Sequence, residues 1–268
     1  AEDFESSAAA FAESAVHYRS AGDLRAVGVA HHNRGYVFAD FLKLRAEERF
    51  FESAVSALEE SEKAYAELGS HLGERANALR LQGMILLGWG RATDSVERLN
   101  AASEKFAEAS VEPREWGDPQ TAAFCLNWQA RALAECATRT GDLKYERAQV
   151  DVFQQVIADL GVSGRAEDRA RFERHLGSVL RDLGRKTEDA AIFRSAAQAF
   201  GEAATTRAGT KGGLVTGLDR KLQGECLSEY ARLSGDATGD REAAADFGAR
   251  AEFEDGESKV FGLAEAKH

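Results

Sequence analysis

Apolar residues recur at intervals of three and four along most of the chain, as in Leu79, Gly83, Leu86, Leu87 and again in Phe172, Leu176, Leu180, Leu183. That spacing lines one face of an α-helix. No segment has the strict alternation of a half-buried strand. The helical segments themselves repeat. Gly35, Gly83, Ala130, Gly177 and Gly224 follow one another at 48, 47, 47 and 47 residues, and Phe106, Phe153, Phe200 and Phe247 are 47 apart, as are Leu86, Leu133, Leu180 and Leu227. Three registers that agree over several units identify a repeat protein, in which each unit buries its apolar face on its neighbours. Function is then expected on a face of the array more than in a single cleft.

The pattern predicts one domain over 1–268. It comprises a leading helix at about 3–21, helix pairs at about 22–69, 73–110, 117–160, 165–208 and 212–250, and a tail or capping helix at 251–268. Leu-Gly at 68–69, 87–88, 160–161 and 183–184 is expected to end helices, because Gly takes the left-handed conformation that satisfies the last carbonyls. Polar or Gly-containing linkers are expected at 70–73, 111–119, 161–165 and 208–213. The small-residue row belongs where two helices cross closely and a larger side chain would push them apart. Ala101, Ala102, Ala190, Ala191, Ala196 and Ala197 serve the same approach from the second helix of each pair, and the phenylalanine row should occupy equivalent buried sites.

The run His175-Leu176-Gly177-Ser178-Val179-Leu180-Arg181-Asp182-Leu183-Gly184-Arg185, followed by Ala190 and Phe193, resembles the tetratricopeptide repeat. Gln82-Gly83 through Leu86 with Trp89-Gly90, and Gln223-Gly224 through Leu227 with Tyr230, look like weaker copies. The unit is longer than the family's usual one, lacks its helix-closing proline and has Ala130 in place of one glycine, so it is similar to long-helix variants. HEAT and armadillo arrays share the longer period but lack the two Leu-Gly steps. The resemblance implies an all-α, right-handed superhelical α-solenoid of antiparallel helix pairs, with the first helix of each pair on the concave side, acting as a protein–protein interaction scaffold.

On those first helices the residues three before each small position are His32, Arg80, Asn127, Arg174 and Lys221. All can donate hydrogen bonds. Asn77 and Arg171, six before, and Arg131, one after, extend the stripe, since residues three or four apart are neighbours on a helix. Guanidinium groups hold carboxylates bidentately, so the stripe is a candidate groove for a peptide or partner segment carrying acidic groups. The residues five after the small position are Asp40, Gly88, Glu135, Asp182 and Glu229. This acidic row runs roughly 12 Å along the helix from the donors. The two rows fit either a groove for an extended ligand or a ladder of ion pairs that only keeps the array solvated, each exposed pair contributing about 0–1 kcal/mol. In the groove reading Arg171, Arg174 and Lys221 form its carboxylate-holding patch, and replacing Arg174 and Lys221 by Glu is expected to lose most of the affinity at little cost to the fold.

Composition narrows the partners. The net charge of −11 disfavours nucleic acid and anionic membrane, since both require clustered Lys and Arg. No run approaches the roughly 20 apolar residues of a membrane span and no secretory segment is visible, so a cytoplasmic location is expected, although an opening at Ala1 also fits a cleaved signal peptide or an excised domain. Cys125, Cys136 and Cys226 show no CxxC spacing and read as packing residues without disulfide or zinc. His31 and His32 point to different helix faces, so with His17 they make no metal site. Gly209-Thr210-Lys211-Gly212-Gly213 has the composition but not the order of a phosphate loop. Trp89, Trp116 and Trp128 read as packing anchors, with Trp116 the one expected to reach solvent. No catalytic pattern stands out, so neither enzyme activity nor a cofactor is expected. An adaptor or sensor domain of a larger signalling protein, and a receptor for a small anionic ligand, remain alternatives, with self-association open.

Overall fold

The computed structural model of the chain describes residues 2–69, 73–161, 165–208 and 213–236. Among them the order is α1 (Glu2–Ser20), α2 (Leu24–Leu42), α3 (Glu48–Leu68), α4 (Glu74–Thr93), α5 (Val96–Glu115), α6 (Pro119–Thr140), α7 (Lys144–Gly161), α8 (Ala166–Thr187), α9 (Ala190–Ala208) and α10 (Gly213–Ser234). The fold class is all-α, a helical repeat of the α-solenoid kind, as the registers require. The helices fall into two compact units, Ala1–Tyr145 and Glu146–His268. Within the first, α1 through α6 each pack on the next in sequence; within the second, α8 packs on α9 and α9 on α10. Phe247 and the segment 251–268 lie outside the described residues.

The glycine and phenylalanine rows turn out to be the two halves of one contact. A Cβ placed on Gly83 would lie 2.9 Å from the ring of Phe106, and one on Gly177 would lie 3.0 Å from the ring of Phe200. Gly35 faces Leu58 at 2.6 Å in the same way, so Leu58 fills the phenylalanine position of the first pair. In each case a first helix offers bare backbone to a bulky side chain 23 residues on, and Phe106 and Phe200 are fully buried there. Phe153 is also buried, as are Leu86, Leu133, Leu180 and Leu227.

Helix ends depart from expectation at two of the four Leu-Gly steps. Gly69 caps α3 in the left-handed conformation, and α7 ends at Gly161, but α4 runs past Gly88 to Thr93 and α8 past Gly184 to Thr187. Gly90 and Gly184 are instead a second crossing row, since a Cβ would meet Leu99 at 2.8 Å and Phe193 at 3.2 Å. The actual stops are Asp94, Gly141, Glu188 and Gly235, all with positive φ and again 47 apart. Each is followed by a residue with an oxygen-bearing side chain. Ser95 accepts from the Arg98 amide, Asp142 from that of Lys144 and Asp189 from that of Ala191, the N-terminal capping that satisfies orphan helix donors. The expected linker at 111–119 also shrinks. Pro113 sits inside the last turn of α5, which continues to Glu115, where few downstream amide bonds remain for the ring to break.

Candidate ligand-binding face

In the first unit α2, α4 and α6 are the first helices of their pairs, and the residues six before, three before and one after each small position share their outer side. Contacts join them into one continuous strip. The ring of His32 meets Tyr36 edge-on at 4.9 Å, and its Nε2 lies 3.3 Å from Nδ2 of Asn77. Arg80 donates from Nη2 to Asn77 Oδ1 at 2.6 Å and from Nη1 to the Met84 sulfur at 3.3 Å, with its guanidinium 5.9 Å from the centre of the Phe124 ring. Phe124 meets Trp128 edge-on at 6.4 Å, and Arg131 lies over the Trp128 ring at 4.6 Å. Asn127 is half-buried on the same helix. Tyr36, Met84 and Phe124 are all substantially open to solvent, at 41%, 38% and 49%. Cations therefore alternate with exposed apolar groups from Tyr36 to Arg131.

Among the described residues neither Arg80 nor Arg131 has a carboxylate partner, although acids outnumber bases 45 to 34 in the chain. Burial, then Arg80, holds His32 below the ordinary imidazole range; burial, then Arg34, does the same for His31. Both rings are therefore neutral at pH 7.

The donor positions of the second unit are differently placed. Arg174 is not an exposed rim residue. Its Nε donates to Asp219 Oδ1 at 2.5 Å and its Nη2 to the Val215 carbonyl at 2.8 Å, while Arg207 donates to the other Asp219 oxygen at 2.5 Å. Asp219 is wholly inaccessible and Arg207 nearly so. A buried carboxylate gripped by two guanidinium groups is part of the core, so the expectation that Arg174 could be reversed at little cost is overturned. Arg171 is exposed but pairs with Asp168 at 3.2 Å, and Lys221 with Glu225 at 3.7 Å. The acidic row is likewise partnered. Asp40 pairs with Lys43, Glu135 with Arg91 and Arg139, Asp182 with Arg181 and Arg185, and Glu229 with Arg232. Arg139 also reaches Asp94 at 2.7 Å. Those acids are paired locally, mostly within their own helices, and among the described residues none pairs with the donor row.

The donor stripe leaves out Tyr36, Met84 and Phe124, yet the repeat marks them. The position six before the small residue reads Val29, Asn77, Phe124, Arg171, Leu218, and the position one after begins Tyr36, Met84, Arg131. Selecting donors alone passes over the apolar members of the same two rows, of which Val29 and Leu218 are also exposed.

Other candidates reduce to packing. The three cysteines are free and buried, with burial pushing the Cys125 thiol up to about 11 and that of Cys226 up to about 12. No group of three or more His, Cys, Asp or Glu among the described residues could hold a metal ion. The 209–213 segment is outside the described residues apart from the backbone of Gly213. Trp89 is buried in a stack with Phe51 at 5.7 Å, Trp128 stacks on Phe106 at 6.0 Å, and Trp116 is 39% exposed. No described helix is long and apolar enough to cross a membrane.

No family model matches the sequence, and no curated protein matches it. Among solved structures the chain is similar to BtubC (BKLC) from P. vanneervenii, at 16% identity over 95% of this chain and 92% of that one, with a TM-score of 0.47. It is also similar to a circular tandem repeat protein with novel repeat topology, at 15% identity over 94% of this chain and 64% of that one, TM-score 0.47. A third is the de novo designed helical repeat protein DHR64, at 15% identity over 91% and 99% of the two chains, TM-score 0.34.

Proposed function

We propose that the chain is an interaction scaffold of the tetratricopeptide kind, and that the strip from Tyr36 to Arg131 holds an extended peptide segment bearing carboxylates and apolar side chains. The observation that carries this reading is that Arg80 and Arg131, without carboxylate partners among the described residues, stand beside the exposed side chains of Met84 and Phe124 on one strip. Of the other donor positions, Arg171, Arg174 and Lys221 are occupied by the chain's own acids. The exposed rings beside the two guanidinium groups supply apolar area that aromatic or aliphatic side chains would cover. A small anionic ligand would meet the same arginines, but rows of contact spread over three helices favour something extended. The scaffold role involves no catalytic step.

Selection of a displayed peptide library on the immobilised protein tests this. Enriched peptides are expected to combine Asp, Glu or a free carboxyl terminus with an aromatic or aliphatic residue. Binding should weaken with salt as partly exposed charges are screened. Arg80→Gln and Arg131→Gln should each weaken binding about tenfold or more, the equivalent of one charge-assisted hydrogen bond of about 1.5–3 kcal/mol, while unfolding stays cooperative. Enrichment of basic peptides, or selected peptides indifferent to both substitutions, would refute the reading.

A further inference from the structure

The contacts of Asn77 fix more than a chain of neighbours. A guanidinium can only donate, so the Asn77 atom 2.6 Å from Arg80 Nη2 is its carbonyl oxygen and the amide nitrogen faces His32. That nitrogen also only donates, which makes His32 Nε2 the acceptor and leaves the ring proton on Nδ1. Nδ1 is buried without a hydrogen-bond partner. The relay His32–Asn77–Arg80 therefore has one consistent direction and requires a neutral imidazole. A proton added at Nε2 would face the Asn77 amide hydrogens, donor against donor. Asn77 can relieve this by turning its amide over, so that its oxygen accepts from imidazolium, but its NH₂ group then faces Arg80 and the guanidinium loses its acceptor.

We propose that His32 is a proton-operated switch for the strip, in which protonation of Nε2 turns Asn77 over and releases Arg80 to an incoming carboxylate. The proposal rests on the ligand-binding reading above. Two consequences act in the same direction. The released guanidinium has Nη2 free to donate, and the strip gains a positive charge beside it. Among the described residues no carboxylate acts on His32, and Arg80 from α4 is the charged group that does, whereas Arg19 of α1, Arg34 of α2 and Glu60 of α3 act on His31. Tyr36 meets the ring from its own helix, and burial delays protonation until the pH falls below the ordinary imidazole range. By linkage, a bound carboxylate makes His32 easier to protonate by the same factor that protonation tightens binding.

The test uses the whole chain and a fluorescein-labelled Asp-Phe-Asp tripeptide. Affinity should rise severalfold as the pH is lowered from 7.5 through the midpoint of the His32 ring titration, measured on the same sample, the peptide carboxylates staying ionised above about pH 5. The dependence should go flat in His32→Gln and persist in His31→Gln. Without peptide, the side-chain amide signals of Asn77 in nuclear magnetic resonance spectra should move with the same midpoint as the His32 ring. Asn77 signals that ignore His32 protonation would overturn the switch, as would wild-type binding that is indifferent to pH. Coupled signals with no tripeptide binding at either pH would instead overturn the ligand-binding reading, and with it the switch's role.

Discussion

Replacing Asp219 by Ala should lower the stability of the protein by about 3–5 kcal/mol, the usual cost of removing one partner from a buried ion pair. The carboxylate is fully buried and takes one guanidinium on each oxygen, Arg174 from α8 and Arg207 from α9. Without it the two cations face each other. Arg174 keeps 23% of its side chain in water and can turn outward, but Arg207 at 9% has little solvent to reach. Arg174→Glu should cost a similar amount, because it sets a second carboxylate against Asp219 and leaves Arg207 to hold both. Urea denaturation read by circular dichroism measures these losses. A loss below about 1 kcal/mol for either variant, the range of exposed pairs, would mean that Asp219 is not buried between the two arginines.

Gly177→Leu should destabilise by about 1–3 kcal/mol through overpacking. A Cβ alone would already approach three atoms of the Phe200 ring at 3.0 Å, and Phe200 is itself fully buried between α8 and α9. The cause is then a pairwise clash, which a double-mutant cycle isolates. Phe200→Ala opens the space that the new leucine needs, so the double variant should lose less than the sum of the two single losses. Strict additivity would place the strain elsewhere, and an unchanged Gly177→Leu would remove residue 177 from the crossing altogether.

The repeat was legible in the sequence because its registers are physical contacts. A Gly that meets a Phe 23 positions later must recur wherever the same two helices cross, so the period survives although little else is identical. Helix ends were harder to read. Leu-Gly at 87–88 and 183–184 looks like a stop, but Gly184 is small because a neighbouring helix crosses there, and Gly88 lies inside α4 with room for a Cβ against Phe51. The true stops at Asp94 and Glu188 take left-handed backbone without a glycine to announce it. In the site, residue type identified the donors and tertiary partners decided which are free. Asp219 stands in a row otherwise made of Ala30, Ala78, Cys125 and Phe172, and Arg207 in a row of Tyr65, Pro113 and Leu160. Opposite charges at two otherwise apolar repeat positions are the sequence trace of a buried pair, and Arg174 is its third member. No such trace accompanies Arg80 or Arg131.

On the proposed reading the donor stripe divides by function, with the part on α2, α4 and α6 open to a ligand and the part on α8 and α10 committed to the fold or to local pairs. Mapping a selected acidic peptide onto the isotope-labelled protein by nuclear magnetic resonance tests it directly. The predicted result is a contiguous set of perturbed signals at Tyr36, Asn77, Arg80, Phe124, Asn127 and Arg131, with Arg171, Arg174 and Lys221 unmoved. Perturbations centred on Arg171, Arg174 and Lys221, or on the second helices of the pairs, would contradict it.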